Sequence, residues 1–276
     1  MTKGRTLLVY AWDGKSVPLE PVTQDATPEF DLLLFDYSGK ATAPEGITLL
    51  SVSTECKGEI YREVHRWLAN TNHDYEYVGL LDDDIETRWS DINRLLEIAH
   101  AHGLDCFVAG LSHDSYYSHK KFLHKGGSTV RPIDWVEVMM PFYRTKLFMA
   151  GGAYYANSIS SWGLDQFAMA TLQKLRQFNR VAVVDAIVFR HQRPITSDDK
   201  IFANGLSAHQ ERRVVRRKAM AQVAAERPDL LGSRWYFKTF SPWNGPGRFW
   251  PLRLLAPWLL LRSLQHRLSR VRAQRA

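Results

Sequence analysis

Cysteine is scarce in this chain of 276 residues: only Cys56 and Cys106 occur, and their separation fits neither a metal cluster nor a disulfide framework. A reducing compartment is the expectation. Long apolar runs are also missing. No stretch offers the ~18 uninterrupted apolar residues that a transmembrane helix requires. The run from Thr6 to Trp12 is shorter than a signal-peptide core and meets an acid at Asp13. The catalytic body is therefore expected in the cytoplasm. Acid is absent from the C-terminal stretch: Leu230 to Ala276 holds nine Lys/Arg and no Asp or Glu. With 36 basic and 29 acidic residues in the whole chain, residues 1–229 carry 36 − 9 = 27 basic against 29 acidic, a net of −2. The basic character thus belongs to the tail. Those basic residues sit among Trp and Leu with no base-reading motif, so nucleic acid is not an expected partner. Internal repeats and low-complexity tracts are lacking as well.

What the chain does have is 45% apolar residues, enough for a sizeable core, and alternating strand and helix patterns. Strands are expected at Thr6–Tyr10, Phe30–Phe35, Ile47–Val52, Tyr77–Leu81, Cys106–Ala109, Val136–Met140, Val181–Val184 and Ile187–Phe189. Helices are expected at Cys56–Leu68, at Ser90–His102 with Ser90 as cap and Gly103 as stop, at Leu164–Phe178 and at Ser207–Ala225. This alternation predicts an α/β fold with a mostly parallel central sheet flanked by helices, over residues 1–230. Ser112 to Arg131 has no period and reads as a long loop, either functional or disordered. Residues 231–276 read as a basic, aromatic extension. It ends in Leu261, Leu264, Leu268 and Val271 at helical spacing, flanked by Arg262, Arg267, Arg270 and Arg272. Such a helix suits an anionic membrane surface, and equally suits docking on the domain or on a partner chain.

The most informative segment is Tyr77-Val78-Gly79-Leu80-Leu81-Asp82-Asp83-Asp84-Ile85-Glu86, an apolar strand that ends in three carboxylates. Carboxylates on a rigid strand end suit a hard divalent cation, Mn²⁺ or Mg²⁺. If the chain stays extended there, Asp82 and Asp84 point to one side. The alternative is a solvated acidic turn before the next helix. In Trp162-Gly163-Leu164-Asp165-Gln166, Trp162 offers a flat face for a sugar ring. Asp165 at a helix start is held ionised by the dipole and is a candidate general base; an ordinary cap beside a core Trp is the alternative. In Val188-Phe189-Arg190-His191-Gln192-Arg193-Pro194, His191 is a candidate metal ligand or a structural histidine, and Arg190 or Arg193 is a candidate for neutralising a diphosphate. Glu137, within Val136-Glu137-Val138-Met139-Met140-Pro141, either lines an acceptor pocket or pairs with an arginine. Tyr10 and Trp12 end the first strand and are candidates for contact with a nucleotide base. Lys57 opens a helix and either reaches a phosphate or is solvated.

These pieces, in this order, resemble glycosyltransferases of the GT-A fold. Asp82 and Asp84 match the D-x-D positions, Trp162, Gly163 and Asp165 a W-G-x-D segment, and His191 a closing histidine. More closely, the chain resembles family 707 of the domains of unknown function, through Phe35-Asp36-Tyr37, the acidic strand end, Val136–Pro141, Trp162–Asp165 and the strand ending at His191. The likeness spans about residues 5 to 195. It implies a nucleotide-sugar donor, a glycan or lipid-linked acceptor, and a divalent metal held by Asp84, His191 and optionally Asp82. It also implies that Asp82 or Asp83 contacts the ribose, and that Asp165 acts as base with inversion at the anomeric carbon. A peripheral position at the inner membrane face would follow from the tail. Two other readings compete. A haloacid-dehalogenase-type phosphatase shares the D-x-D but has a different residue from Glu86 at its fifth position, and Asp198-Asp199 would mimic its later acidic pair. A non-catalytic nucleotide- or sugar-binding protein on the same scaffold needs no turnover.

Overall fold

A computed structural model describes residues 4–194 and 200–240. Strand β1 (Thr6–Trp12) is buried along its whole length, as expected of a strand covered on both faces of a parallel sheet. There follow β2 (Val22–Thr23), β3 (Asp31–Asp36), β4 (Thr48–Ser51), α1 (Lys57–Asn70), β5 (Tyr77–Leu81), β6 (Ile85–Arg88), α2 (Trp89–Ala101) and β7 (Cys106–Leu111). After a long loop come β8 (Arg131–Pro132), β9 (Phe142–Arg144), α3 (Thr145–Ala150), α4 (Gly152–Tyr155), a π-helical turn (Leu164–Met169) and α5 (Ala170–Leu175). The last elements are β10 (Val181–His191), α6 (Ala208–Glu226) and α7 (Arg234–Phe240).

The sheet runs β2-β6-β10-β7-β9-β5-β1-β3-β4. β4, β3, β1 and β5 are parallel neighbours, as are β7 and β10. Short β9 is inserted antiparallel between β5 and β7. The expected α/β architecture, a largely parallel sheet flanked by helices, is therefore what the chain adopts. The helices bury one stripe each: Ile60, Tyr61, Val64 and Leu68 on α1, and Ile92, Leu95, Leu96 and Ala99 on α2.

Several local expectations change. Ser90 does not cap α2; the Asp25 carboxylate accepts from the Ser90 N–H and hydroxyl at 3.0 and 2.7 Å, so the cap comes from a distant part of the chain. Val136–Met140 is an irregular segment ending in a turn, with β9 starting only after Pro141. Its carbonyls at Met139 and Pro141 accept from Asp82 N–H and Leu80 N–H, which lays it along the end of β5 without a full ladder. The expected helix at 164–178 is a π-helical turn followed by a shorter α-helix, and ends at Leu175. The two expected strands around Asp185 are one strand, β10, whose register shifts between Val184 and Val188. A bulge absorbs Asp185 there, and its carboxylate accepts from Arg131 Nε at 2.7 Å and from Lys125 N–H at 3.0 Å. Asp185 thereby ties the 112–131 loop to the sheet.

Helix α7 packs on the body: the Phe240 ring stacks on Phe167 at 5.9 Å. The amphipathic helix expected at Leu261–Val271 lies outside the described residues. No helix among the described residues is long and apolar enough to cross a membrane.

Candidate active site

The acidic segment is a tight turn between two strands. β5 ends at Leu81, and the Ile85 N–H closes back on Asp82 O at 3.2 Å. The expected extended geometry, with Asp82 and Asp84 side by side, is therefore not formed. The three carboxylates take different sets of partners, with Arg193 shared between Asp83 and Asp84. Asp82 forms an ion pair with Lys57 at the start of α1. Asp83 accepts from the Tyr37 hydroxyl at 2.8 Å and pairs with Arg193. Asp84 faces His191, with Oδ2 3.2 Å from Nε2, and accepts from Arg193 Nε at 3.1 Å.

Sheet register explains the Asp84–His191 meeting. β6 pairs antiparallel with the end of β10, His191 opposite Ile85 and Arg190 opposite Glu86. The loop after β7 then fixes the imidazole. His191 Nδ1 lies 2.8 Å from Tyr116 O, and its backbone N–H donates to Ser115 Oγ at 3.1 Å. A carbonyl only accepts, so Nδ1 carries hydrogen and Nε2 is left to face Asp84. Burial pulls His191 toward the neutral form, but the hydrogen bond and charge of Asp84 outweigh it and raise its pKa. Burial opposes ionisation of Asp84 too, and His191 and Arg193 outweigh it and lower its pKa.

Asp84 Oδ1 is buried and accepts no hydrogen bond among the described residues. An orphaned carboxylate oxygen beside an imidazole nitrogen fits a borderline divalent cation with N/O preference. Among the described residues no group of three His, Cys, Asp or Glu side chains is gathered for a metal. The side chains that such an ion could use are Asp84 and His191, and Asp82 would be available only on leaving Lys57.

The two arginines go to different places, Arg190 within β10 and Arg193 in the bend after it. Arg190 pairs with Glu86 and Asp114, at 3.0 and 2.9 Å, and does not line the cleft. Arg193 lines the cleft. Lys57 is neither solvated nor free: its side chain is 13% exposed and committed to Asp82.

The turn faces a cleft of about 870 Å³, lined among others by Asp82, Asp84, Glu137, Trp162, Asp165 and His191. A side pocket of about 220 Å³ shares Asp83, Asp84 and Arg193 with it and is walled by Tyr10 and Trp12. The Tyr10 hydroxyl is buried without a hydrogen-bond partner among the described residues. The first turn of α1 closes one side of the main cleft. A Cβ at Gly58 would meet Ser158 O and Ile159 O at 2.6 and 2.7 Å, so glycine is needed for this close approach.

Asp165 lies within the π-helical turn, after Gly163 at φ +86°. Its carboxylate accepts from Gln166 N–H at 2.6 Å. Its pKa is raised to about 6, because burial exceeds the pull of that N–H, Lys121 and Arg212. The expectation of a dipole-stabilised carboxylate is corrected here, since desolvation wins. Glu137 is not on a strand and has no arginine partner among the described residues. Its Oε2 is buried and unpaired, and burial plus the charge of Asp165 push it up to about 7.

The cleft also contains residues that the sequence did not single out. Arg212 and His209 project from α6, and His119 and Gln166 join them. Their only signal was the spacing of His209 and Arg212 on one side of a basic helix, which a solvated face shares.

No family model and no curated protein matches the chain, so family 707 stands as a resemblance carried by the residues quoted above. Solved structures do align with it. The S. aureus TarS fragment 1–349 in complex with UDP-GlcNAc aligns with a TM-score of 0.47 at 12% identity, over 86% of this chain and 79% of that one. A second S. aureus TarS structure aligns with a TM-score of 0.47 at 11% identity, over 84% of this chain and 45% of that one. A197 from STIV gives 0.37 at 16% identity, over 68% of this chain and 86% of that one. Likeness at these levels carries no residue's role across.

Proposed function

We propose that this chain is a glycosyltransferase that moves a sugar from a nucleotide-sugar to a hydroxyl of a glycan or lipid-linked acceptor, with inversion. The observation that carries the reading is convergence. Asp84, Glu137, Trp162, Asp165 and His191, distant in sequence, line one cleft, and an aromatic side pocket opens beside the acidic turn. A volume of about 870 Å³ lies within the roughly 300–1,000 Å³ typical of ligand sites.

Tyr10 and Trp12 hold the base in the side pocket, and Asp83 takes the ribose. Lys57 and Arg193 are the cations available to the diphosphate once they leave their carboxylates. Asp84 and His191 would hold a divalent cation, which would supply Lewis-acid stabilisation to the departing diphosphate. Trp162 presents a ring face to the acceptor sugar, and Glu137 hydrogen-bonds it. Asp165 removes the acceptor proton as the hydroxyl oxygen attacks the anomeric carbon from the face opposite the diphosphate.

The test is thermal stability against a panel of nucleoside diphosphates with and without Mn²⁺, on wild type, Asp84→Asn and Asp165→Asn. A ligand at ~100 times its Kd stabilises by roughly 2.7 kcal/mol. One nucleotide is expected to give a metal-dependent shift that Asp84→Asn abolishes and Asp165→Asn retains. With that donor, Asp165→Asn is expected to lose transfer; full transfer would remove Asp165 from the role of base. No shift with any nucleotide would sink the donor assignment. Phosphomonoester hydrolysis lost in Asp82→Asn would then favour the phosphatase, and binding without product under any donor and acceptor would favour the non-catalytic protein.

A further inference from the structure

Arg212 sits in the cleft wall with a charge that no carboxylate neutralises at close range. Its Nε and Nη2 both donate to a neutral amide oxygen, Gln166 Oε1, at 3.2 and 2.8 Å. Among the described residues it has no ion-pair partner, and Asp165 attracts it only from beyond contact. The guanidinium also lies over the Phe167 ring, with Cζ 5.0 Å from the ring centroid; held by a neutral amide oxygen and an aromatic face, its charge stays available to an anion. The other basic groups nearby are held toward their neutral forms, while Arg212 keeps its charge. His119, in contact with Gln166, is pushed down to about 4 by burial and by the charges of Lys121 and Arg212. Lys121, seated on the Trp135 ring, is pushed down to about 7 by burial.

The position is specific. Arg212 Cγ lies 3.3 Å from where a Cβ on Gly163 would stand, so the arginine stem packs against Gly163, the residue after Trp162. His209, one helical turn before Arg212, meets the Trp162 ring edge-on at 4.9 Å. A sugar lying on Trp162 with its hydroxyl toward Asp165 would therefore carry its neighbouring substituents into reach of Arg212 and His209.

We propose that Arg212, with His209 beside it, is a subsite for a carboxylate or phosphate group on the acceptor, so that the acceptor is an anionic glycan rather than a neutral one. The inference rests on the transferase reading for the word acceptor, but the anion site can be tested without it. Arginine's planar fork recognises carboxylate and phosphate through two parallel hydrogen bonds.

The experiment titrates the full chain with methyl glucoside, methyl glucuronide and methyl glucoside 6-phosphate by ligand-observed NMR, for wild type, Arg212→Gln and Arg212→Lys. At least one anionic probe is expected to bind about tenfold or more tighter than the neutral one, the scale of one charge-assisted hydrogen bond. That preference is expected to vanish in Arg212→Gln and to survive in part in Arg212→Lys, which keeps the charge but not the fork. Which anionic probe wins separates phosphate from carboxylate. Equal binding of charged and neutral probes by wild type overturns the proposal, and so does a preference that persists in Arg212→Gln. If the glutamine variant does not fold, the wild-type preference and its weakening in the lysine variant decide. The nucleoside diphosphate panel is run on the same samples. A nucleotide shift without anion preference removes this subsite alone, whereas anion preference without any nucleotide shift removes the donor reading and leaves the subsite.

Discussion

Glu137 and Asp165 differ from the other carboxylates of the cleft in having no cation in ion-pair contact among the described residues. Asp82, Asp83 and Asp84 each have a basic side chain at hand. Burial dominates for the unpaired two, and both protonate more readily than free carboxylic acids. For Glu137 the folded pKa rises from 4.5 to about 7. Between those values the folded chain binds more protons than the unfolded one, so stability from this group is present at low pH and is lost as pH rises toward 7. Glu137→Gln is therefore expected to raise Tm over wild type near pH 8 and to leave it nearly unchanged near pH 4, as read by calorimetry. A pH-independent difference in Tm would contradict this. For Asp165 the base must be ionised to accept a proton. Transfer is expected to fall as pH drops below about 6, in a pH–rate profile taken at saturating donor.

At the scale of elements, the cleft depends on how α6 grips the segment before the π-helical turn. Ser207 and Gln210 form a capping box that fixes where the helix starts. One turn later Glu211, buried in the helix, accepts from Ile159 N–H at 3.1 Å, Ser160 N–H at 2.8 Å, Ser160 Oγ at 2.5 Å and Asn204 Nδ2 at 2.6 Å. This single carboxylate holds the chain just ahead of Ser161, whose φ of +68° is unusual for a residue with a Cβ. Glu211→Ala would leave several buried donors unsatisfied. It is expected to cost about 2–4 kcal/mol in urea unfolding and to reduce transfer while sparing the nucleotide-dependent thermal shift, because Asp84 and His191 lie on other elements. Unimpaired transfer alongside lost stability would mean that Glu211 supports the fold and not the site.

For the whole molecule, charge is partitioned between a slightly acidic body and a basic tail. The described part of the C-terminal stretch packs on the π-helical turn, with Arg216 donating to Phe240 O and Phe240 stacked on Phe167. Beyond Phe240 the sequence carries the apolar stripe from Leu261 to Val271 among arginines. Deleting residues from Leu252 onward is expected to release the protein from anionic vesicles in a sedimentation assay and to spare transfer to a soluble acceptor, since binding follows buried apolar area and basic charge. Vesicle binding unchanged by the deletion would assign the stripe to a protein contact instead.

The sequence alone determined the α/β class, the order and approximate limits of most elements, and the candidates Asp82, Asp84, Trp162, Asp165 and His191. Apolar periodicity and local acid or glycine punctuation are short-range signals that survive without knowledge of the fold. Tertiary structure decided the rest. Antiparallel pairing of β6 with β10 brought His191 to Asp84 and Arg190 to Glu86. Packing of α6 brought Arg212 to Gln166 beside Asp165, and Asp25 rather than Ser90 proved to be the cap of α2. Desolvation, which has no signature in a linear chain, left Asp165 with a raised pKa where a helix dipole alone would have lowered it. Residue chemistry is written locally, but partners and burial are properties of the folded chain, and these set what each carboxylate in the cleft can do.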